Sequence, residues 1–274
     1  MDSTICFFGF PDRVKDGTMS DDSNWSVDYP TSNLQNDKVA SKATSTATEA
    51  YFICTFATDK KIQAVALTDF SMSIDATIKI EFLNASDVAQ TGSMSVAQDM
   101  FPSGLFYGTS DADKAEELSN EIPSIYVFSV DSPVTCQKVK VTISDNSTFS
   151  ISRFIACPIF QPTRGISVGF RYNFNDLTEY EESSSGRRFH GGTRIRREFN
   201  GSIDFLTNTE AYKRAMSMLK RIGSSTPILF CRNPDDDNDQ MPRDTFWGYL
   251  YATAGVSRSD LSVNALSFNI EEVE

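Results

Sequence analysis

Apolar and polar residues alternate through most of the first 160 positions. Ile74-Ala76-Ile78-Ile80-Phe82 keeps a period of two without a break, and Ile62-Ala64-Ala66 interleaves with Val65-Leu67. The same habit returns at Ile125–Phe128, at Val139-Val141-Ile143, and from Phe149-Ile151 into Phe154-Ile155-Ala156. A period of two sends successive side chains to opposite faces, so these runs predict β-strands with a buried face. Turn-forming clusters separate them: Thr68-Asp69, Asn84-Ala85-Ser86-Asp87, Asp131-Ser132-Pro133 and Ser144-Asp145-Asn146-Ser147. Short strands at close spacing predict an antiparallel jelly-roll sandwich over residues 1–160. The polar, Ala- and Glu-rich stretch from Asp111 to Asn120 reads instead as a short helix inside a long loop.

The pattern changes after the sequence Cys157-Pro158-Ile159-Phe160-Gln161-Pro162, where two prolines mark a linker. Strand-like alternation runs over Ile166–Phe174 and Phe199–Phe205, with a polar, Arg-rich arm at 179–197 between them. Thr207 as N-cap and Glu210 three residues on form a capping box. Tyr212, Ala215, Met216, Leu219 and Ile222 follow at helical spacing, and Gly223 is a stop signal, so a helix is expected over about 208–222. Pro227–Cys231, Thr245–Ala252 and Val263–Ile270 supply further strands. Residues 161–274 therefore read as a β-rich domain with one principal helix, and the whole chain as mainly β.

Charge sharpens this division. Residues 1–162 carry nine Lys and two Arg against 21 acids, whereas residues 163–274 carry two Lys and 12 Arg against 16 acids. A net charge of -12 over 274 residues argues against a surface built to hold nucleic acid or anionic membrane. No run approaches the length of a membrane span, and the N-terminus lacks the basic start of a signal peptide, so a soluble protein made in a cytoplasm is expected. Five cysteines, far apart and without a C-x-x-C, read as reduced core thiols. His190 is the single histidine, which removes most metal sites and nucleophilic triads. No nucleotide-binding, nucleophile-elbow or zincin motif is present, so neither enzyme activity nor a cofactor is expected.

Four features still invite chemistry. Asp235, Asp237 and Asp239 match the first ligands of an EF-hand loop, but Gln240 and Phe246 stand where Gly and a bidentate Glu belong, so a solvated acidic turn is the better reading. His190 lacks a sequence-supported partner and reads as a surface residue. Trp25 and Tyr29 lie in the loop-like segment Asn24–Pro30, where an exposed ring can stack on a sugar; the alternative is that Trp25 folds back as a lid on the core. Arg187, Arg188, Arg194, Arg196 and Arg197 crowd the arm and oppose Glu179, Glu181 and Glu182. Their forked donors suit a neighbouring subunit, with a solvated loop or a phosphate backbone as alternatives. The rings of Phe246, Trp247, Tyr249 and Tyr251 are expected to divide between the core and a subunit contact.

These residues also carry a resemblance. Trp25, Asp28-Tyr29-Pro30, Asn33-Leu34, Lys38-Val39-Ala40, Tyr51–Phe56 and Ile62–Leu67, closed by Val139–Ile143 and Phe149–Phe160, resemble the discoidin-like jelly roll found in tail proteins of tailed bacteriophages. Glu198-Phe199-Asn200-Gly201, the helix Glu210–Arg221, Pro227–Phe230, Phe246–Leu250 and Leu266–Glu272 are similar to the C-terminal part of tail-tip and distal-tail proteins. The resemblance implies a virion structural protein of the tail tip or baseplate. It would form a ring with copies of itself, dock other tail proteins and touch a host-surface glycan. The rival reading is a stand-alone carbohydrate-binding module.

Overall fold

The computed structural model describes residues 5–38, 40–101, 124–178, 180–182, 187–190, 195–234, 241–251, 254–260 and 263–273. The helix expected at 111–120 and the acidic loop 235–239 lie outside them. The chain divides into two compact units, Met1–Gln161 with Cys231–Thr245, and Pro162–Phe230 with Phe246–Glu274. The described strands are β1 (Phe7–Gly9), β2 (Gly17–Asp21), β3 (Ala43–Thr44), β4 (Glu49–Ser71), β5 (Thr77–Leu83), β6 (Gln98–Asp99), β7 (Ile125–Ser144), β8 (Ser150–Cys157) and β9 (Ile159–Phe160). They continue with β10 (Arg171–Asp176), β11 (Tyr180–Glu182), β12 (Arg188–His190), β13 (Ile195–Leu206), β14 (Ile228–Cys231), β15 (Thr245–Leu250), β16 (Gly255–Asp260) and β17 (Val263–Glu272). The fold is mainly β and antiparallel, as the alternation predicts.

In the first unit the sheet order is β3-β8-β4-β7-β5-β6, with β2 added beside β4. Two strands are far longer than the runs that announced them. β4 passes through the expected turn at Thr68-Asp69, where Asp69 takes φ 48°, and ends only at Ser71. β7 passes through Asp131-Ser132-Pro133 and joins two runs that read as separate strands. Register shifts between Thr55 and Lys60 and between Ile62 and Ala64 bend the pair, as bulges do. The sheet thereby curls so that Phe52 on the first half of β4 meets Phe154 on β8, ring centroids 5.0 Å apart. Ile78, Ile80 and Phe82 of β5 and Val139, Val141 and Ile143 of β7 fill the same core from alternate positions.

In the second unit the order runs β10-β13-β17-β15-β14, with β16 beside β17. The expected strand at Ile166–Phe174 starts later, at Arg171, and β16 was not announced by any alternation. The capping box forms: the Thr207 N–H donates to a Glu210 carboxylate oxygen at 2.9 Å, and the Glu210 N–H to Thr207 Oγ1 at 3.2 Å. Thr209–Ala215 winds as a π-helix into α1 (Met216–Ile222), and Gly223 ends it at φ 57°. Glu210 also accepts hydrogen bonds from the Thr163 N–H and hydroxyl, each at 2.6 Å, pinning the start of the second unit to its helix. Burial pushes this carboxyl up, but the Thr163 and Thr207 donors outweigh it and hold the pKa below the usual carboxylate value.

All five cysteines are free and buried. Burial pushes the thiols of Cys6, Cys54, Cys136 and Cys231 up to about 12 and raises Cys157 as well. The thiolate is the nucleophile, so the folded protein should leave iodoacetamide unreacted at pH 8 while the urea-unfolded chain takes up five equivalents. Intact mass before and after denaturation checks this, and rapid labelling of the folded chain would contradict it.

Candidate functional site

The β7 bulge builds a concavity in the first unit. Ile62 pairs with Val134 and Ala64 with Ser129, so Val130, Asp131, Ser132 and Pro133 stand against Gln63 alone. Pro133 has no N–H to give a ladder, which favours ejecting the segment here. Gln63 Nε2 braces the ejected segment by donating to the Asp131 carbonyl at 3.3 Å. A second wall comes from the turn after β5, where the Gln90 N–H donates to the Phe82 carbonyl at 2.7 Å and the Met94 N–H to that of Ile80 at 2.8 Å. Gly92 sits at φ 98°, and a Cβ there would lie 2.8 Å from Val134 Cγ2, so only glycine lets this turn approach the bulge.

Between the two walls lies an open cavity of about 670 Å³, lined by Gln90, Thr91, Gly92 and Ser129–Thr135. Its hydroxyls belong to Thr91, Ser129, Ser132 and Thr135, its carboxylate to Asp131, and its apolar surface to Val130, Pro133 and Val134. Gln90 Nε2 is committed to the Val88 carbonyl at 2.8 Å, so that amide is held in place. The lining presents both donors and acceptors at a size typical of small-ligand sites. Sequence reading marked Asp131-Ser132-Pro133 only as a turn; the usable signal was a turn cluster inside a run that otherwise alternates. A smaller groove of about 380 Å³ crosses the outer face of β2, β4, β7 and β5, where Lys138 pairs with Asp87 at 2.6 Å.

The aromatic candidates separate. Trp25 is 6% exposed, its Nε1–H donates to the Tyr51 carbonyl at 3.0 Å, and its ring meets Phe52 and Phe149 edge-on. It closes the core as the lid that the sequence offered as one of two readings, and it is not the sugar-stacking platform of the other. Tyr29 remains 55% exposed. Phe246 and Trp247 are both buried, so neither faces a subunit contact, while Tyr251 donates to Glu271, which with burial raises its phenol to about 12.

The arginines separate too. The base of the arm is β10 paired with β13 and its outer part β11 paired with β12, where Arg188 stands opposite Glu182 and His190 opposite Tyr180. Arg187 is exposed, and Arg194 lies outside the described residues. Arg196 and Arg197 sit in the body of the sheet. Arg196 pairs with Glu271 at 3.2 Å; Arg197 pairs with Glu272 and lies 4.6 Å from the centroid of Phe246. Both guanidiniums are engaged by acids of their own unit and belong to a strand of the sheet rather than to the loop of the arm. No group of three or more His, Cys, Asp or Glu that could hold a metal occurs among the described residues.

β10 itself is exposed at every position, with Phe174 at 70% and, beside it, Ile195 at 53%. Phe170 and Tyr172 are half out as well, resting on the buried Phe199.

No family model matches the chain, and no curated protein does. Among solved structures it is similar to a family 32 carbohydrate-binding module of Clostridium perfringens NanJ in complex with galactose, at 13% identity and a TM-score of 0.39, covering 56% of this chain and 99% of that one. It is also similar to a fucose-binding module of Streptococcus pneumoniae, at 7% identity and 0.38, covering 54% and 98%. The lectin-binding domain of lectinolysin complexed with Lewis b gives 12% identity and 0.38, covering 54% and 97%.

Proposed function

We propose that the chain is a non-catalytic glycan-binding protein whose first unit holds a sugar at the β7 bulge. The observation that carries this is the cavity of about 670 Å³ with hydroxyls, a carboxylate and a fixed amide on its rim and Val130 and Pro133 beside them. Sugar hydroxyls both donate and accept, and a sugar's C–H face needs an apolar surface, so this lining answers both demands. Hydrolysis of a glycosidic bond needs two carboxyl groups flanking it. Asp131 is the one carboxylate in the lining, so the arrangement suits binding rather than turnover.

The lining contains no aromatic ring, and the affinity for a single sugar is therefore expected to be weak, with a Kd on the order of 1 mM. Galactose, fucose and Lewis b are the first ligands to titrate, followed by amide chemical shifts. Shifts confined to 90–92 and 129–135, abolished in Asp131→Ala and in Gly92→Val, are expected. A flat response to all three, or binding that survives both variants, would overturn the reading.

A second reading is favoured by the exposed aromatic residues of β10. In it the chain is a virion structural protein of a phage tail tip or baseplate, associating with itself and with other tail proteins. The two readings are compatible, since the first concerns one unit and the second the other. Sedimentation of the purified chain alone tests the second: a monomer at all concentrations would count against it.

A further inference from the structure

Beyond the bulge, the first unit has a second hollow whose charges do not balance. It is the groove of about 380 Å³ on the outer face of β2, β4, β7 and β5. Side chains alternate across a strand, so residues two apart share a face. The ladder registers set this face out in rows. Ile53, Lys140 and Glu81 stand side by side in one, and Thr55, Lys138 and Leu83 in the next. Ser20 of β2 extends the first row beyond Ile53.

Most of the charge here is already matched. Lys138 is paired with Asp87 at 2.6 Å. Glu81 stands opposite Lys140 in the ladder, yet it pairs with Lys79 on its own strand at 2.9 Å. Lys140 forms no such pair among the described residues; its ammonium lies 4.3 Å from the centroid of the Tyr51 ring. A ring face holds an ammonium in position without cancelling its charge. With three N–H donors and one ring beside it, Lys140 keeps donors for a ligand. The wall beside it is preformed as well. Asp87 takes φ 61° in a turn that Asn84 Oδ1 holds by accepting from the Ser86 and Val88 N–H groups at 2.9 and 3.0 Å.

We propose that this groove binds one acidic sugar residue, a uronic acid, with its carboxylate on Lys140. The proposal rests on the glycan-binding reading and adds to it a second subsite, whose lining shares no residue with the cavity at the bulge.

Each feature of the lining answers a group of that ligand. One unmatched cation takes one negative charge through a charge-assisted hydrogen bond. The hydroxyls of Ser20 and Thr55 and the carboxylate of Glu81 serve sugar hydroxyls, which both donate and accept. Ile53 and Leu83 supply apolar surface for the sugar's C–H groups. A neutral sugar would leave Lys140 unmatched. A denser anion fits badly too. The further charges of a nucleic acid or a heavily sulfated chain would face Glu81 and Asp87, in a segment where nine Lys and two Arg stand against 21 acids. A single charge among several hydroxyls is what the groove selects.

The test is a titration of the full chain with galacturonic acid, galactose and acetate, followed by amide chemical shifts. Galacturonic acid should shift residues 53–55, 81–83 and 138–140, and galactose should bind there about fivefold more weakly. Lys140→Gln, which keeps most of the stem and loses the charge, should weaken galacturonic acid by a similar factor, whereas Lys140→Arg should retain it. Amide positions outside the groove report whether each variant is folded.

Equal binding of galactose at the groove would overturn the proposal, as would a folded Lys140→Gln chain that binds galacturonic acid unchanged. Acetate that binds as well as galacturonic acid would also overturn it, since the groove would then read charge alone. So would galacturonic acid shifts confined to 129–135 and abolished in Asp131→Ala, which would put the acid at the bulge. Galactose or fucose shifts at 90–92 and 129–135 that persist in Lys140→Gln keep the two sites apart. With those shifts present, a silent groove removes the second subsite and leaves the bulge reading standing.

Discussion

Replacing Arg153 by methionine should destabilise the first unit by about 3–5 kcal/mol, the cost expected when one partner of a buried ion pair is removed. Arg153 lies in β8, 2% exposed, and its Nη2 is ion-paired with Asp12. Its Nη1 donates to the Gln35 carbonyl at 2.7 Å and lies 2.9 Å from Asp37 Oδ1. Asp12 further accepts from the Val14 N–H at 3.0 Å and the Ala156 N–H at 3.3 Å. Gln35 in turn donates to the carbonyls of Val14 and Gly17. One guanidinium thus ties the N-terminal segment and the turn before Asn36 to a core strand. Methionine fills much of the volume but strands the Asp12 carboxylate away from its counter-charge. Asp37→Asn is the contrast: Asp37 is half exposed, and losing it should change stability by about 1 kcal/mol or less. Urea unfolding of both variants measures the difference, and equal midpoints for the two would contradict this account.

Phe199→Ala should cost the second unit about 3–5 kcal/mol, as deletion of a fully buried ring does. The Phe199 ring has centroids of Phe170, Tyr172, Phe230, Phe246 and Phe268 within 5.0–5.9 Å. It is the common neighbour that lets rings from β10, β14, β15 and β17 pack as one layer. The Gly201 position beside it is nearly as tight, since a Cβ there would meet Phe199 at 2.8 Å. Phe174→Ala, which removes an exposed ring, should stay within about 0.5 kcal/mol. On the assembly reading, Phe199→Ala should also weaken self-association, because Phe170 and Tyr172 lose their backing, while Phe174→Ala should weaken it with stability intact. Thermal melts read beside sedimentation separate the two effects. A stable Phe199→Ala chain would show that the layer repacks.

Where reading along the chain failed, it failed at particular residues. The turn cluster Asp131-Ser132-Pro133 does interrupt β7, but as a bulge within one strand rather than as an end. Chemistry that favours a turn and chemistry that favours a bulge use the same residues, and the partner strand decides between them. Polar neighbours leave Trp25 open to two readings, an exposed platform or a lid on the core, and the sequence alone does not choose between them. Its indole is buried by Phe52 and Phe149, far away in sequence, and its N–H by the Tyr51 carbonyl. Arg196 and Arg197 looked like part of a basic arm because charge density along the chain does not show that Glu271 and Glu272 return beside them.

The sequence by itself determined what depends on nearest neighbours. Period-two alternation set the mainly β class and the buried faces of β5 and β7, and Thr207, Glu210 and Gly223 set both ends of the helix. These signals survive because a strand's pleat and a helix's caps are satisfied within a few residues. Only the tertiary structure decided the cavity at the β7 bulge, the burial of Trp25, the use of Arg153 and the exposure of β10. Each depends on segments brought together from far apart, 141 residues for Arg153 and Asp12. Periodicity tells a residue which side of its own strand it occupies, but only packing determines what stands opposite.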